Sequence, residues 1–235
     1  MPIEIIYNDN NYIAVNKPHG LPVHRSGYVG EADNYAVQLV RDQIGQYVYP
    51  CHRLDSKTSG VLLFALHKET NRLMHQQFAH NRVRKKYIAV VRGYTDDSGI
   101  IDYPLTNEKG KTQEAITEYK TLKRAELAIP SGKFETSRYS LVEVYPQTGR
   151  FHQIRKHFAH IYHPVIGDRP HGCNKQNRLF KDKFKMTTML LHAAEITFNH
   201  PVTKKEVTMQ ATIHPEFKQV LCLMGWSERI LKPLL

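Results

Sequence analysis

Apolar residues in this chain fall into short runs that alternate with polar ones, and neighbouring runs are joined by brief turn-forming stretches. Ile3 to Asn16 alternates around Asp9-Asn10-Asn11 and predicts two strands joined by a turn. Tyr47 to Leu66 begins as a strand, passes through the polar stretch Asp55 to Gly60, and resumes as a buried strand. Tyr87-Ile88-Ala89-Val90-Val91 is rich in β-branched and aromatic residues, and Ala115 to Tyr119 and Tyr139 to Tyr145 alternate in strand fashion. Thr197 to Ala211 adds two strands about Pro201-Val202-Thr203-Lys204. Strands outnumber helices, and many are adjacent in sequence. The pattern therefore predicts an α+β fold on a mostly antiparallel sheet.

Helices are fewer. Ala36 to Ile44 has helical spacing, with Asp33 or Asn34 as its cap and Gly45 as its stop. Thr70 to Phe78 sets Leu73, Met74 and Phe78 on one face, another helix follows Gly149, and Glu216 to Met224 forms a late one. Lys17-Pro18-His19-Gly20 breaks the pattern as a loop. Asn107 to Glu114, Ser131 to Thr136 and Asn174 to Lys185 read as surface loops, the last mobile and basic. The 235 residues contain no repeat or low-complexity linker, so a single catalytic domain over 1–235 is the simplest expectation.

The longest apolar runs, such as Val61 to Leu66, fall far short of the roughly 20 residues that span a bilayer. Met1-Pro2-Ile3-Glu4 does not resemble a signal peptide, so a cytoplasmic location is expected. Cys51, Cys173 and Cys222 are too sparse for a disulfide framework or a structural zinc site and read as free thiols. The net charge of +11, with the clusters Arg82-Val83-Arg84-Lys85-Lys86 and Lys181-Asp182-Lys183-Phe184-Lys185, favours a polyanionic partner held with salt-sensitive affinity.

Three segments carry candidate chemistry. Asp55 lies in a turn-rich stretch between two apolar strands, where an acid either bonds local backbone or is presented as a reactive group by a rigid scaffold. Phe151, Ile154, Phe158 and Ile161 recur at helical spacing, which sets Arg155 at the edge of a buried stripe while Lys156 and His160 point away. An Arg so placed can reach a partly buried carboxylate and keep it ionised, or snorkel to solvent. Tyr87 opens a strand behind a basic cluster, where its ring can stack on a base or its hydroxyl can stay wet. His152, His157, His160, His163 and His171 cluster locally. His152, His157 and His160 fall on different sides of the helix and no His-Glu-x-x-His pattern occurs, so no metal is expected.

At these residues the chain resembles the RluA-type pseudouridine synthases. The match runs through Lys17-Pro18-x-Gly20-Leu21, His52-Arg53-Leu54-Asp55 with Thr58-Ser59-Gly60, Lys85-Lys86-Tyr87 and Thr148-Gly149-Arg150-x-His152-Gln153-Ile154-Arg155-x-His157. It continues in His163-Pro164-Val165-Ile166-Gly167-Asp168, Leu191-His192-Ala193 and Phe198-x-His200-Pro201, in family order over nearly the whole chain. Val23-His24-Arg25-Ser26, Arg41 to Gln46 and Gly225-Trp226 resemble the branch that acts on uridine 65 of tRNA. His171-Gly172 departs from the Tyr-Gly frequent in relatives and is expected to alter a surface contact.

The resemblance implies isomerisation of uridine in RNA to pseudouridine, within an active-site cleft across the sheet, by a monomer that uses no cofactor and lacks the S4-type RNA-binding domain. It makes Asp55 the catalytic carboxylate, acting on the sugar as nucleophile or base. Arg155 becomes its ion partner, and Tyr87 the residue that packs on uracil and assists loss of the C5 proton. Arg53 fills the space left by the flipped base or binds its phosphate, and Leu191 walls the base. RNA or base contacts are implied for His52, Thr58, Lys17, Arg150 and Gln153. The rival readings are a ribosomal RNA synthase and a non-catalytic RNA-binding module.

Overall fold

A carboxylate holds the first turn. Asp9 Oδ1 accepts the backbone N–H groups of Asn11 (2.7 Å) and Tyr12 (2.8 Å), and these local bonds reverse the chain. In this computed structural model, which describes residues 2–25, 34–131 and 133–226, the flanking segments are β1 (Glu4–Asn8) and β2 (Tyr12–Lys17). Next come α1 (Ala36–Ile44), β3 (Tyr49–Pro50), β4 (Ser59–Ala65), α2 (Lys68–Ala79) and β5 (Arg84–Arg92). They are followed by β6 (Ser98–Asp102), β7 (Leu105–Thr106), β8 (Thr112–Gln113), β9 (Ile116–Leu127) and β10 (Ser137–Pro146). The remainder is α3 (Gln153–His160), α4 (Asn174–Phe184), β11 (Leu191–Asn199), β12 (Glu206–Gln210) and α5 (Pro215–Leu223). The architecture is α+β, as the alternation predicts.

The chain divides into two compact units. One is formed by the residues up to Lys85 together with Ala193–Ile213. Its strands run in the order β1-β2-β4-β11, with β12 on β11 and β3 on β4. The pairs β1/β2, β2/β4, β3/β4 and β11/β12 are antiparallel. The register sets Tyr12 opposite Ala65 and Ala14 opposite Leu63. These four residues enter one core with Val61, Met74, Ile196 and Phe198. Gly60, at the head of β4, has φ +109°. A Cβ there would lie 2.1 Å from the carbonyl oxygen of Ala193, so only glycine lets the two backbones approach so closely.

The second unit comprises Lys86–His192 and the stretch that begins at His214. Its strands run β5-β10-β9-β6, each pair antiparallel. Ala89, Val91, Val142, Val144 and Leu191 form its core with Ile154 and Phe158 of α3. The Phe158 ring packs at 5.4 Å on that of Tyr119 from β9.

Three local expectations need correction. Asn174 to Lys185 is not a loop: the segment to Phe184 is α4, anchored by a fully buried Phe180 whose ring meets Tyr139 edge-on at 5.3 Å. Its apolar positions are few and its many Lys, Arg and Gln disguise it, although these are good helix formers. Asn107 to Glu114 contains β8, which pairs with β7 as a small hairpin. The N-cap of α1 is Tyr35, with no side-chain capping bond, whereas Gly45 does end the helix in the left-handed conformation (φ 67°). Asp33, the other cap expected, lies outside the described residues, as do Ser26 and Gly132.

Candidate active site

Within the first unit, β3 and β4 hold the segment 51–58 between them. At its start the Cys51 N–H donates to the Leu63 carbonyl (3.0 Å). At its far end the Thr58 N–H donates to the Asp55 carbonyl (3.0 Å), closing a turn around the acid. Leu54 and Thr58 are buried, Asp55 is half-buried, and Arg53 is exposed. The Asp55 main chain makes the bond that closes this turn. The Asp55 carboxylate stands on a loop fixed at both ends, the kind of placement that rigid scaffolds give to reactive groups.

Lys17 fixes this loop further. Its side chain has no exposure, and its ammonium donates to the carbonyls of Pro18 (2.9 Å), Leu21 (2.8 Å) and Ser56 (3.0 Å). The Gly20 N–H reaches the same Ser56 carbonyl (2.8 Å). An ammonium has three donors, and here three carbonyls accept them. Burial pushes Lys17 down to about 7, against the attraction of Asp55. Lys17 thus clamps the residue after Asp55 to the 17–21 loop. Thr58, only 2% exposed, is likewise part of the loop's interior.

His52 also has partners within the first unit. Its ring packs on Phe78 (5.3 Å between centroids) and its Nε2 accepts the Leu63 N–H (3.1 Å). A ring that accepts there is neutral at that nitrogen. Burial, with the positive charge of Lys85, pushes His52 from 6.5 down to about 4. Above the unfolded value the ring is neutral in both states. Between about 4 and 6.5 only the unfolded chain takes up the proton, so stability falls as pH drops through that window. The full effect is up to about 3 kcal/mol. Denaturant unfolding at stepped pH should show it, and His52→Gln should flatten the dependence. Equal pH dependence in both proteins would remove this role from His52.

In the second unit, α3 carries Arg155 into the interior at 4% exposure. Its Nε donates to Asp168 Oδ2 (2.8 Å) and its Nη2 to Asp168 Oδ1 (2.7 Å), a buried bidentate pair. A guanidinium has five donors, and Asp168 takes two of them. Asp168 also accepts the His171 N–H through Oδ1 (3.3 Å), while its carbonyl accepts from Asn177 Nδ2 (2.6 Å). Asp168 is the buried partner of Arg155 that the sequence reading left without a role. An acid closing the apolar run Val165-Ile166-Gly167 was the available signal, since a buried acid needs a cation.

Gln153 is buried and all its amide capacity is internal. Its Oε1 accepts from Thr148 Oγ1 (2.7 Å) and the Arg150 N–H (2.9 Å), and its Nε2 donates to the Ile116 carbonyl (2.9 Å) and Thr117 Oγ1 (3.0 Å). It fastens the start of α3 to β9. Arg150 donates through Nε to the Glu114 carbonyl (2.9 Å). Leu191, at 2% exposure, belongs to the core of this unit. Tyr87 is half-buried on β5, opposite Val144. Phe151 departs from the expected stripe: it precedes α3, is 38% exposed and stacks on His152 at 3.7 Å.

The histidines meet one another or nearby backbone and rings. His152 Nδ1 meets His171 Nε2 at 2.9 Å, so one ring donates and the other accepts. His157 Nε2 faces the Tyr103 carbonyl (3.0 Å), and burial lowers its pKa. His160 stacks on Tyr103 at 3.6 Å, and His163 Nδ1 meets the Arg92 carbonyl at 2.8 Å. Among the described residues no group of three or more His, Cys, Asp or Glu side chains is placed to hold a metal ion. No helix among them is long and apolar enough to cross a membrane.

Comparison with known proteins supplies the context for these side chains. Residues 11–160 match the sequence model of the family described as RNA pseudouridylate synthase. The tRNA pseudouridine synthase C of Vibrio parahaemolyticus is 43% identical, over 98% of this chain and 98% of its own. That of Haemophilus influenzae is 43% identical, over 96% of this chain and 99% of its own. Among solved structures, human RNA Pseudouridylate Synthase Domain Containing 4 aligns with a TM-score of 0.73 at 23% identity, covering 94% of this chain and 93% of that one. Its likeness shows a shared fold.

Proposed function

The chain belongs to the RNA pseudouridylate synthase family, and from that membership we propose that it isomerises a uridine of tRNA, at position 65, to pseudouridine. The observation that carries the tRNA reading is the 43% identity to tRNA pseudouridine synthase C, which extends over nearly the full length of both chains. The position rests on the finer sequence match at Val23-His24-Arg25, Arg41 to Gln46 and Gly225-Trp226.

In the reaction the bond between uracil N1 and the sugar C1′ breaks, the base turns, and C5 joins C1′. The C5 proton is released and N1 takes one up, so atoms and electrons balance with no donor group and no redox partner. The target base must leave the stack to be reached. Asp55 is the catalytic carboxylate, adding to the sugar or removing a proton from it. Tyr87 offers a half-buried ring for the uracil and assists departure of the C5 proton. Arg155 serves as the cation of the site, its orientation fixed by Asp168. Arg53, exposed beside Asp55, takes the place of the flipped base or holds its phosphate. One cytoplasmic chain suffices for each tRNA.

The test is to incubate purified protein with unmodified tRNA and map the pseudouridines formed. One new pseudouridine at position 65 is the expected result. Modification of ribosomal RNA alone would overturn the substrate, and modification of tRNA elsewhere would overturn the position.

A further inference from the structure

Helix α4 has an outer face that its own stability does not explain. Lys175, Arg178 and Lys181 follow one another at steps of three residues along α4, Lys185 is the left-handed residue that ends the helix, and all four are exposed. Residues at that spacing are neighbours on one helix face, where like charges repel. Asp182 is the one acid among them. The first turn holds no acidic residue and carries Lys175, the wrong sign for the positive end of the helix dipole. Where a segment breaks several local rules together, function is the usual reason.

The inner face is the opposite. Phe180 is fully buried against Tyr139 and Phe184. Gln176, 2% exposed, accepts the Tyr139 hydroxyl and donates to Ser131 Oγ (2.8 Å). Asn177 accepts the Gly167 N–H (2.9 Å) and donates to the Asp168 carbonyl (2.6 Å). The helix is thus a rigid cationic rail, tied on its inner side to the residue that orients Arg155.

We propose that Lys175, Arg178, Lys181 and Lys185 bind the phosphodiester backbone of the RNA substrate away from the reacting uridine. The proposal rests on the reading of this chain as a synthase that acts on tRNA. A regular row of cations complements a regular row of phosphates, and backbone contacts of this kind position a nucleic acid without reading its sequence. A membrane surface fits less well, because an interfacial helix inserts a free apolar face and the apolar face of α4 is already inside the protein. Through Asn177 and Asp168, seating the RNA on α4 also sets its distance from Arg155.

The test uses the full chain with Lys175→Glu, Arg178→Glu and Lys181→Glu combined, and a second triple variant with Gln at the same positions. Expected for the Glu triple is a tRNA affinity about tenfold or more weaker, with KM raised and kcat retained. The slope of log affinity against log salt should lose about 2–3 in both triples. Thermal stability should not fall in the Gln triple, where repulsion is relieved. Wild-type affinity and salt slope in both triples would overturn the proposal. So would wild-type protein sedimenting with phosphatidylserine vesicles through α4 while its tRNA affinity ignores the substitutions. Pseudouridine formation by the wild type is scored separately: its absence defeats the synthase reading, whereas an unchanged salt slope defeats the α4 proposal alone.

Discussion

Asp55→Asn is expected to lower pseudouridine formation by about 10⁴-fold or more while leaving tRNA affinity almost unchanged. Asparagine matches aspartate in size, so the loop can keep its shape: the Thr58 N–H still meets a main-chain carbonyl, and Lys17 still holds Pro18, Leu21 and Ser56. Only the negative oxygen is lost, and an amide is neither a useful nucleophile at the sugar nor a base there. Single-turnover conversion of tRNA at saturating enzyme isolates this step from binding. Conversion within tenfold of the wild type would remove Asp55 from the chemistry. Arg155→Met provides a second comparison, in which turnover should fall much more than affinity. Equal losses would make Arg155 a phosphate contact.

Asp168→Ala is expected to destabilise the protein by about 3–5 kcal/mol, a fall in Tm of roughly 10 °C for a chain of this size. Both members of the pair are almost fully enclosed, with side-chain exposures of 5% for Arg155 and 0% for Asp168. Removing the acid strips the guanidinium of its bidentate partner and leaves a space in the core of the second unit. It also removes the acceptor of the His171 N–H. Asp168→Asn retains the volume and one acceptor, so a smaller loss is expected. Calorimetry of the three proteins checks the order. An Asp168→Ala protein as stable as the wild type would show that the buried pair contributes nothing net. The same substitution should slow turnover, because the orientation of Arg155 depends on this carboxylate.

The α+β class was legible because period-two alternation is a direct imprint of strands with one face in a core, as at Ala115, Thr117 and Tyr119, which are buried while Ile116 and Glu118 between them are only half-buried. Gly45 as a helix stop was legible for a similarly local reason, its left-handed φ of 67°. Helix α4 was not, since its burial rests on Phe180 and Gln176 finding Tyr139, a partner remote in sequence. The site divides in the same way. Asp55 and Arg155 stood out through the order of the family motifs and the phase of one helix. That Lys17, His52 and Gln153 would turn inward depended on carbonyls and N–H groups at Ser56, Leu63 and Ile116, which no local pattern announces. A lysine or histidine within a motif reads as a ligand contact until the three-dimensional accounting of backbone donors and acceptors is known.

The most direct measurement follows the C5 hydrogen. Transfer RNA carrying tritium at C5 of its uridines, incubated with the wild-type protein, is expected to release one tritium per tRNA to solvent, and the Asp55→Asn protein is expected to release none over the same period. Normal tRNA binding by the wild type without tritium release would contradict the assignment of this chain as an RNA uridine isomerase.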